Sequence, residues 1–90
     1  MQFLKLSHEL ITDKNITSNE FRVYTYLLSL YNEEKDCSYP SIDVISERLN
    51  ISISTVKRSI KRLEDLKYIS IEKRKGLAGN FNIYKKLKHI

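Results

Sequence analysis

The apolar residues of this chain follow two periods, and the change from one to the other predicts its architecture. Phe21, Tyr24, Leu27, Leu28 and Tyr31 recur at helical spacing and predict an amphipathic helix over 18–33. That helix opens on Thr17-Ser18-Asn19-Glu20, a capping box in which the Thr17 hydroxyl takes the third amide and Glu20 reaches back. The pattern fades among the polar residues 32–36. Pro40-Ser41 starts a second, shorter helix through Leu49, with Ile42, Ile45 and Leu49 facing inward. Asn50 follows where the chain must turn sharply through a left-handed residue, a conformation Asn tolerates better than any residue except Gly. Ser52 caps a third helix that runs to about Leu66. Beyond it the period falls to two. Ile69 and Ile71 alternate with Ser70 and Glu72, and Phe81, Ile83 and Tyr84 follow Gly76-Leu77-Ala78-Gly79, so a β-hairpin is predicted at about 68–87. Ahead of all this, Phe3 to Leu6 alternate weakly and Ser7 to Leu10 predict a short helical turn.

The third helix separates its two faces most completely. Around Val56, a step of about 100° per residue places Ile60 and Leu63 toward the core, with Ser59 and Leu66 at the margin. Ser54, Arg58 and Lys61 point the other way, flanked by Lys57 and Arg62. A solvated helix gains from opposite charges at i,i+4; here Lys57 and Lys61, and Arg58 and Arg62, are like-charged pairs. Contacts with phosphates would offset that repulsion. The first turn, with Ser52, Ile53, Ser54 and Thr55, has small side chains that let a backbone approach the free amides. Ser52 and Thr55 have a plainer use as cap and first-turn residues. Arg58 is the side chain able to grip guanine with two parallel hydrogen bonds.

Charge sharpens this reading. Residues 1–56 carry five basic and eight acidic side chains, a net of −3, and residues 57–90 carry eleven basic and three acidic, a net of +8. Charge kept only for solubility would not segregate in this way; a basic half suits a polyanion. An acidic protein or an anionic membrane surface is the bland alternative. In the hairpin, Lys73-Arg74-Lys75 lead into the loop, Asn80 and Asn82 leave it, and Lys85-Lys86 follow. A basic tip with Arg and Asn suits a minor groove, whereas scattered Lys alone would suit edge-strand protection.

The 90 residues suffice for one domain. No apolar run approaches the roughly 20 residues that span a bilayer, and the N-terminus lacks a signal-peptide pattern. The lone Cys37 excludes an internal disulfide and suits a reducing cytosol, so a cytoplasmic location is expected. Asn15-Ile16-Thr17 and Asn50-Ile51-Ser52 match glycosylation sequons but serve capping or turn chemistry. His8 and His89 lie near opposite ends, Cys37 lacks a metal partner nearby, and no phosphate-cradling glycine loop exists, so no catalytic residue, metal or cofactor is expected. The GxxG stretch at 76–79 joins two predicted strands rather than two helices, unlike the RNA-clamping loop it matches. The six tyrosines are too dispersed for a base-stacking platform and read as core-edge aromatics.

Helix, helix, tight turn, helix, hairpin: this order resembles the winged helix-turn-helix family. The residues that carry the resemblance are PSIDVISERLNISISTVKRSIKRLEDLKYI and, as the wing, EKRKGLAGNFNIY. The opening FLKLSHELITDKNITSNEFRVYTYLLS is similar to N-terminal domains of plasmid and phage replication initiators. One departure is Asn50, where the family often has Gly, and Asn meets the same backbone demand. The resemblance implies an α+β, mainly helical fold over 1–90, with a three-helix core, a helix-turn-helix at about 41–66 and a wing at about 68–87. It implies sequence-specific binding of double-stranded DNA at an origin of replication or transfer, or at an operator. The third helix would contribute Ser52, Ser54, Thr55, Lys57, Arg58, Lys61 and Arg62, and the wing Lys73, Arg74, Lys75, Asn80, Asn82 and Lys85. A second copy of the chain and other replication or transfer proteins are candidate partners, and Phe3, Leu4, Leu6, Leu10 and Ile11 either pair two copies or cover the core. The alternatives are a winged helix used for protein interaction, or nonspecific nucleic-acid binding.

Overall fold

Four helices precede one antiparallel hairpin in the computed structural model, which describes residues 8–32, 34–35, 37–76 and 79–86. They are α1 (His8–Thr12), α2 (Ser18–Ser29), α3 (Ile42–Leu49), α4 (Ile53–Asp65), β1 (Ile69–Gly76) and β2 (Gly79–Lys86). The capping box forms: the Glu20 amide donates to the Thr17 hydroxyl at 3.2 Å, and the Thr17 amide donates to the Glu20 carboxylate at 3.1 Å. Two caps of one design follow, with Ser41 accepting from the Val44 amide and Ser52 from the Thr55 amide. At the far end of α4, Lys67 takes a left-handed φ of 64°. There the Tyr68 amide donates to the Leu63 carbonyl at 3.0 Å and closes the helix. The helix thus ends within a residue of its predicted limit at Leu66, while its left-handed turn falls on a lysine, with no Gly or Asn to signal it.

The core joins α2, α4 and the base of the hairpin. Leu10, Val23, Tyr24, Leu27, Ile45, Val56, Ile60, Leu63, Tyr68, Ile69 and Tyr84 form one buried cluster. This corrects the predicted inner face of α2. Val23 is fully buried while Phe21 and Leu28 pack only partly against the cluster, because α2 turns its Val23–Tyr24–Leu27 edge onto α4. Ser59 also lies in the interior rather than at its margin. The tyrosines differ from expectation too. Tyr24 and Tyr68 meet as tilted rings 5.2 Å apart, and with Tyr84 they belong to the core itself, whereas Tyr39 is exposed.

Helix α2 stops at Ser29, four residues before its predicted end. The Asn32 side chain accepts from the Glu34 and Lys35 amides and its backbone pairs with Cys37, a tight reversal that ends the helix. The chain then adds a contact the sequence did not signal. Ser38 pairs with Tyr84 through two backbone hydrogen bonds of 2.8 and 2.9 Å, which tie β2 to the segment leading into α3. Of the residues considered for pairing two copies, Leu10 covers the core and Ile11 is exposed, while Phe3, Leu4 and Leu6 lie outside the described residues.

Candidate nucleic-acid interface

The turn before α4 is braced from three sides. Asn50 adopts φ 54°, ψ 48°, and the Ile51 amide donates to the Ser46 carbonyl at 3.2 Å. The Ser46 hydroxyl donates back to the Ile51 carbonyl at 2.6 Å, and the Arg22 guanidinium of α2 donates to the Leu49 carbonyl at 2.9 Å. These bonds satisfy carbonyls that the end of α3 would leave orphaned, and they fix the direction in which α4 starts.

Helix α4 is more strongly amphipathic than α2 or α3. At its start the Ser52 hydroxyl caps the helix and donates to the Thr55 hydroxyl at 2.8 Å, and the Arg58 guanidinium donates to that same Thr55 oxygen at 3.4 Å. Ser52 and Thr55 are therefore held within the chain and steady Arg58, while Ser54, Lys57 and Arg58 stay exposed. Helices α2 and α3 each carry an acid in the first turn, Glu20 and Asp43, as the helix dipole favours; α4 carries none. An anion from outside would meet no competing carboxylate on that turn.

The basic face is shorter than the sequence suggested. Lys61 pairs with Asp65 at 3.4 Å and with Glu64 at 3.6 Å, and the Asp65 carboxylate pushes the Lys61 pKa up. Arg62 donates to the Asn15 carbonyl at 3.4 Å, toward the loop before α2. The like-charge repulsion expected between Lys57 and Lys61 is thus offset inside the helix, whereas Arg58 and Arg62 meet no carboxylate. The positive charge left without a carboxylate on this face belongs to Lys57, Arg58 and Arg62, with Arg62 drawn toward the loop before α2.

The hairpin register corrects the reading of the wing. Lys73, Arg74 and Lys75 do not crowd a tip; they lie within β1, opposite Asn82, Phe81 and Asn80 respectively. Neighbours along a strand point to opposite faces. Lys73, Lys75, Asn80 and Asn82 therefore share the face of Ile71 and Tyr84, and Arg74 shares the other with Glu72, Phe81 and Lys85. Glu72 bridges that second group, 3.2 Å from Lys85 and 3.3 Å from Arg74, and the hydrogen bonds of Lys85 and Arg74, with their charges, hold its carboxyl below its ordinary value. The Asn82 amide donates to the Tyr84 hydroxyl at 3.2 Å.

An open cleft of about 410 Å³ connects the two halves of this surface. Ile53 and Lys57 of α4, Ile42 and Asp43 of α3, and Asn80, Phe81 and Asn82 of β2 line it. The structure thus places Lys57 across a cleft from the two wing asparagines. Ile53 and Phe81, exposed apolar residues of this wall, were not among the predicted site residues. A second cleft, beyond the opposite flank of α4, takes in Thr17, Asn19, Arg58 and Arg62. Among the described residues no cluster of three His, Cys, Asp or Glu side chains is arranged to hold a metal ion, and no helix is long and apolar enough to cross a membrane.

Comparison with known proteins agrees with this architecture. The family described as a helix-turn-helix domain matches residues 14–69, from near the start of the α1–α2 loop to the first residue of β1. No curated protein matches the chain. A solved structure described as a "possible transcriptional regulator" from Methanosarcina mazei Go1 superposes with a TM-score of 0.64 at 24% identity, over 82% of this chain. The match takes in 58% of that protein's length, and at this identity it speaks for the fold. With three helices around the Asn50 turn and a hairpin after them, the chain belongs to the helix-turn-helix domain family of DNA-binding folds, in its winged form.

Proposed function

We propose that this protein binds double-stranded DNA with sequence preference, with α4 in a major groove and the wing against the neighbouring stretch of backbone and minor groove. One observation carries the reading: Lys57, on the acid-free start of α4, faces Asn80 and Asn82 of the wing across one open cleft. In this reading Ser54 and Arg58 meet base edges, with Thr55 and Ser52 positioning Arg58. Lys57, Lys73 and Lys75 meet phosphates, and Asn80 and Asn82 meet either a groove edge or the sugar-phosphate chain. Lys61, Arg62, Arg74 and Lys85, each engaged by a partner within the chain, contribute field more than contact.

The proposed setting is a plasmid or phage operator or origin. The likeness of residues 3–29 to replication-initiator domains supports it, and the description of the Methanosarcina protein as a possible transcriptional regulator supports the operator. Selection of bound duplexes from a random library tests the reading. An enriched motif, protected from cleavage by the protein at physiological salt, is the expected result. Uniform retention of all sequences would reduce the protein to a nonspecific binder, and retention of none would end the DNA reading.

A further inference from the structure

Isoleucine is an unexpected residue for the first position of α4. Val56, Ile60 and Leu63 are all buried, but Ile53 is 44% exposed. It caps nothing, and its branched side chain loses rotamer freedom in a helix, so local stability does not explain it. It lies instead on the wall of the cleft beside Lys57, at the helix end that leads into the proposed groove. Side chains on a helix lean toward its N-terminus, so a residue in the first turn projects past the helix end.

The chemistry around Ile53 narrows what it meets there. The Ser52 hydroxyl engages those of Ser54 and Thr55, and Arg58 donates to Thr55, so the polar groups of this turn already touch one another and Ile53 is its exposed apolar group. Along the major-groove edges of the bases, the 5-methyl group of thymine is the apolar group that projects into the groove. An exposed apolar side chain beside Lys57, on a first turn without an acid although Asp43 of α3 lines the same cleft, matches that methyl group. We infer that Ile53 is a specificity-determining residue that packs on a thymine methyl, so that the preferred site carries thymine opposite the start of α4. This inference rests on the DNA-binding reading above and adds the base that is chosen.

The experiment uses the full chain and a duplex recovered by the selection just described. Each thymine of that duplex is replaced in turn by deoxyuridine, which removes the methyl group and leaves the Watson–Crick pairing intact. One or two replacements are expected to weaken binding of the unaltered protein about fourfold each, the value of burying one such group. Ile53→Ala is expected to bind the original duplex more weakly by a similar factor and to be indifferent to those same replacements; Ile53→Val retains part of the sensitivity. Because the side chain is exposed, Ile53→Ala should melt at the unaltered temperature. Indifference of the unaltered protein to every replacement would overturn the inference while leaving DNA binding intact. So would undiminished sensitivity in Ile53→Ala, which would assign the methyl contact elsewhere. If no duplex is retained at all, the DNA-binding reading falls and this inference with it.

Discussion

The Arg22 guanidinium donates a 2.9 Å hydrogen bond to the carbonyl of Leu49, joining α2 to the last turn of α3 one residue before the left-handed Asn50. A charged donor on an orphan helix carbonyl both stabilises that end and aims α4. Arg22→Met keeps most of the apolar stem and removes the bond, so it should lower stability by about 1 kcal/mol. Chemical denaturation measures this; an unchanged midpoint would show that water replaces the guanidinium without loss.

Binding should depend steeply on salt. With about three phosphates neutralised by Lys57, Lys73 and Lys75, log K is expected to fall against log[salt] with a slope of roughly −3. Titrations of a labelled duplex from low to physiological salt give the slope. A flat line would be incompatible with phosphate contacts.

Arg58 and Lys61 should behave differently despite their shared face. Arg58→Ala is expected to lose about 1–3 kcal/mol on the preferred duplex and to relax preference at one base pair. Lys61→Ala should change little, because Asp65 and Glu64 already hold that ammonium. Asp65→Asn releases it and should tighten binding to all duplexes alike. Equal losses from Arg58→Ala and Lys61→Ala would mean that DNA draws Lys61 from its acids.

The wing should divide by face. Asn80→Ala with Asn82→Ala is expected to weaken the preferred duplex more than a scrambled one, since both line the cleft with Lys57. Arg74→Ala should affect both duplexes slightly and equally, because Arg74 lies on the opposite face beside Glu72. Glu72→Gln frees Arg74 and Lys85 and should steepen the salt slope by up to about one. Selective loss with Arg74→Ala would place base readout on the outer face instead.

Tyr24 offers a stability test that spares the DNA surface. Its hydroxyl is buried without a hydrogen-bond partner, so Tyr24→Phe should stabilise the fold by about 1 kcal/mol and raise its melting midpoint by several degrees. Burial also pushes the Tyr24 and Tyr84 phenols above their ordinary value of 10.0. The folded chain then keeps protons that the unfolded chain releases. Stability is complete below about pH 10 and falls as pH rises through the folded values. Tyr24→Phe should shrink this alkaline loss; an unchanged alkaline profile would show that Tyr24 does not contribute to it.

Local chemistry was readable in advance because it spans only a few residues. The capping box at Thr17 and Glu20 and the caps at Ser41 and Ser52 join groups three residues apart along the chain, and the turn at Asn50 joins groups at most five apart. The inner face of α4 and the change of period at Ile69 follow equally from spacing, so the winged fold was legible. The left-handed stop at Lys67 was not, since nothing but packing recommends a lysine there.

The binding surface is where the chain alone misled, because a side chain's charge does not say which neighbour it will meet. By themselves, residues 57–62 read as one continuous basic stripe; the folded helix turns Lys61 to Asp65 and sends Arg62 across to Asn15, 47 residues away in the chain. Likewise Lys73-Arg74-Lys75 read as one cluster until the strand register put Arg74 on the face opposite its neighbours. Periodicity and composition were enough for the elements, their order and the excess of positive charge. Folding added the reach of Arg62 to Asn15 and the pairing register of the wing, because those partners meet after the elements form, whereas the Lys61–Asp65 pair needs no more than one helix.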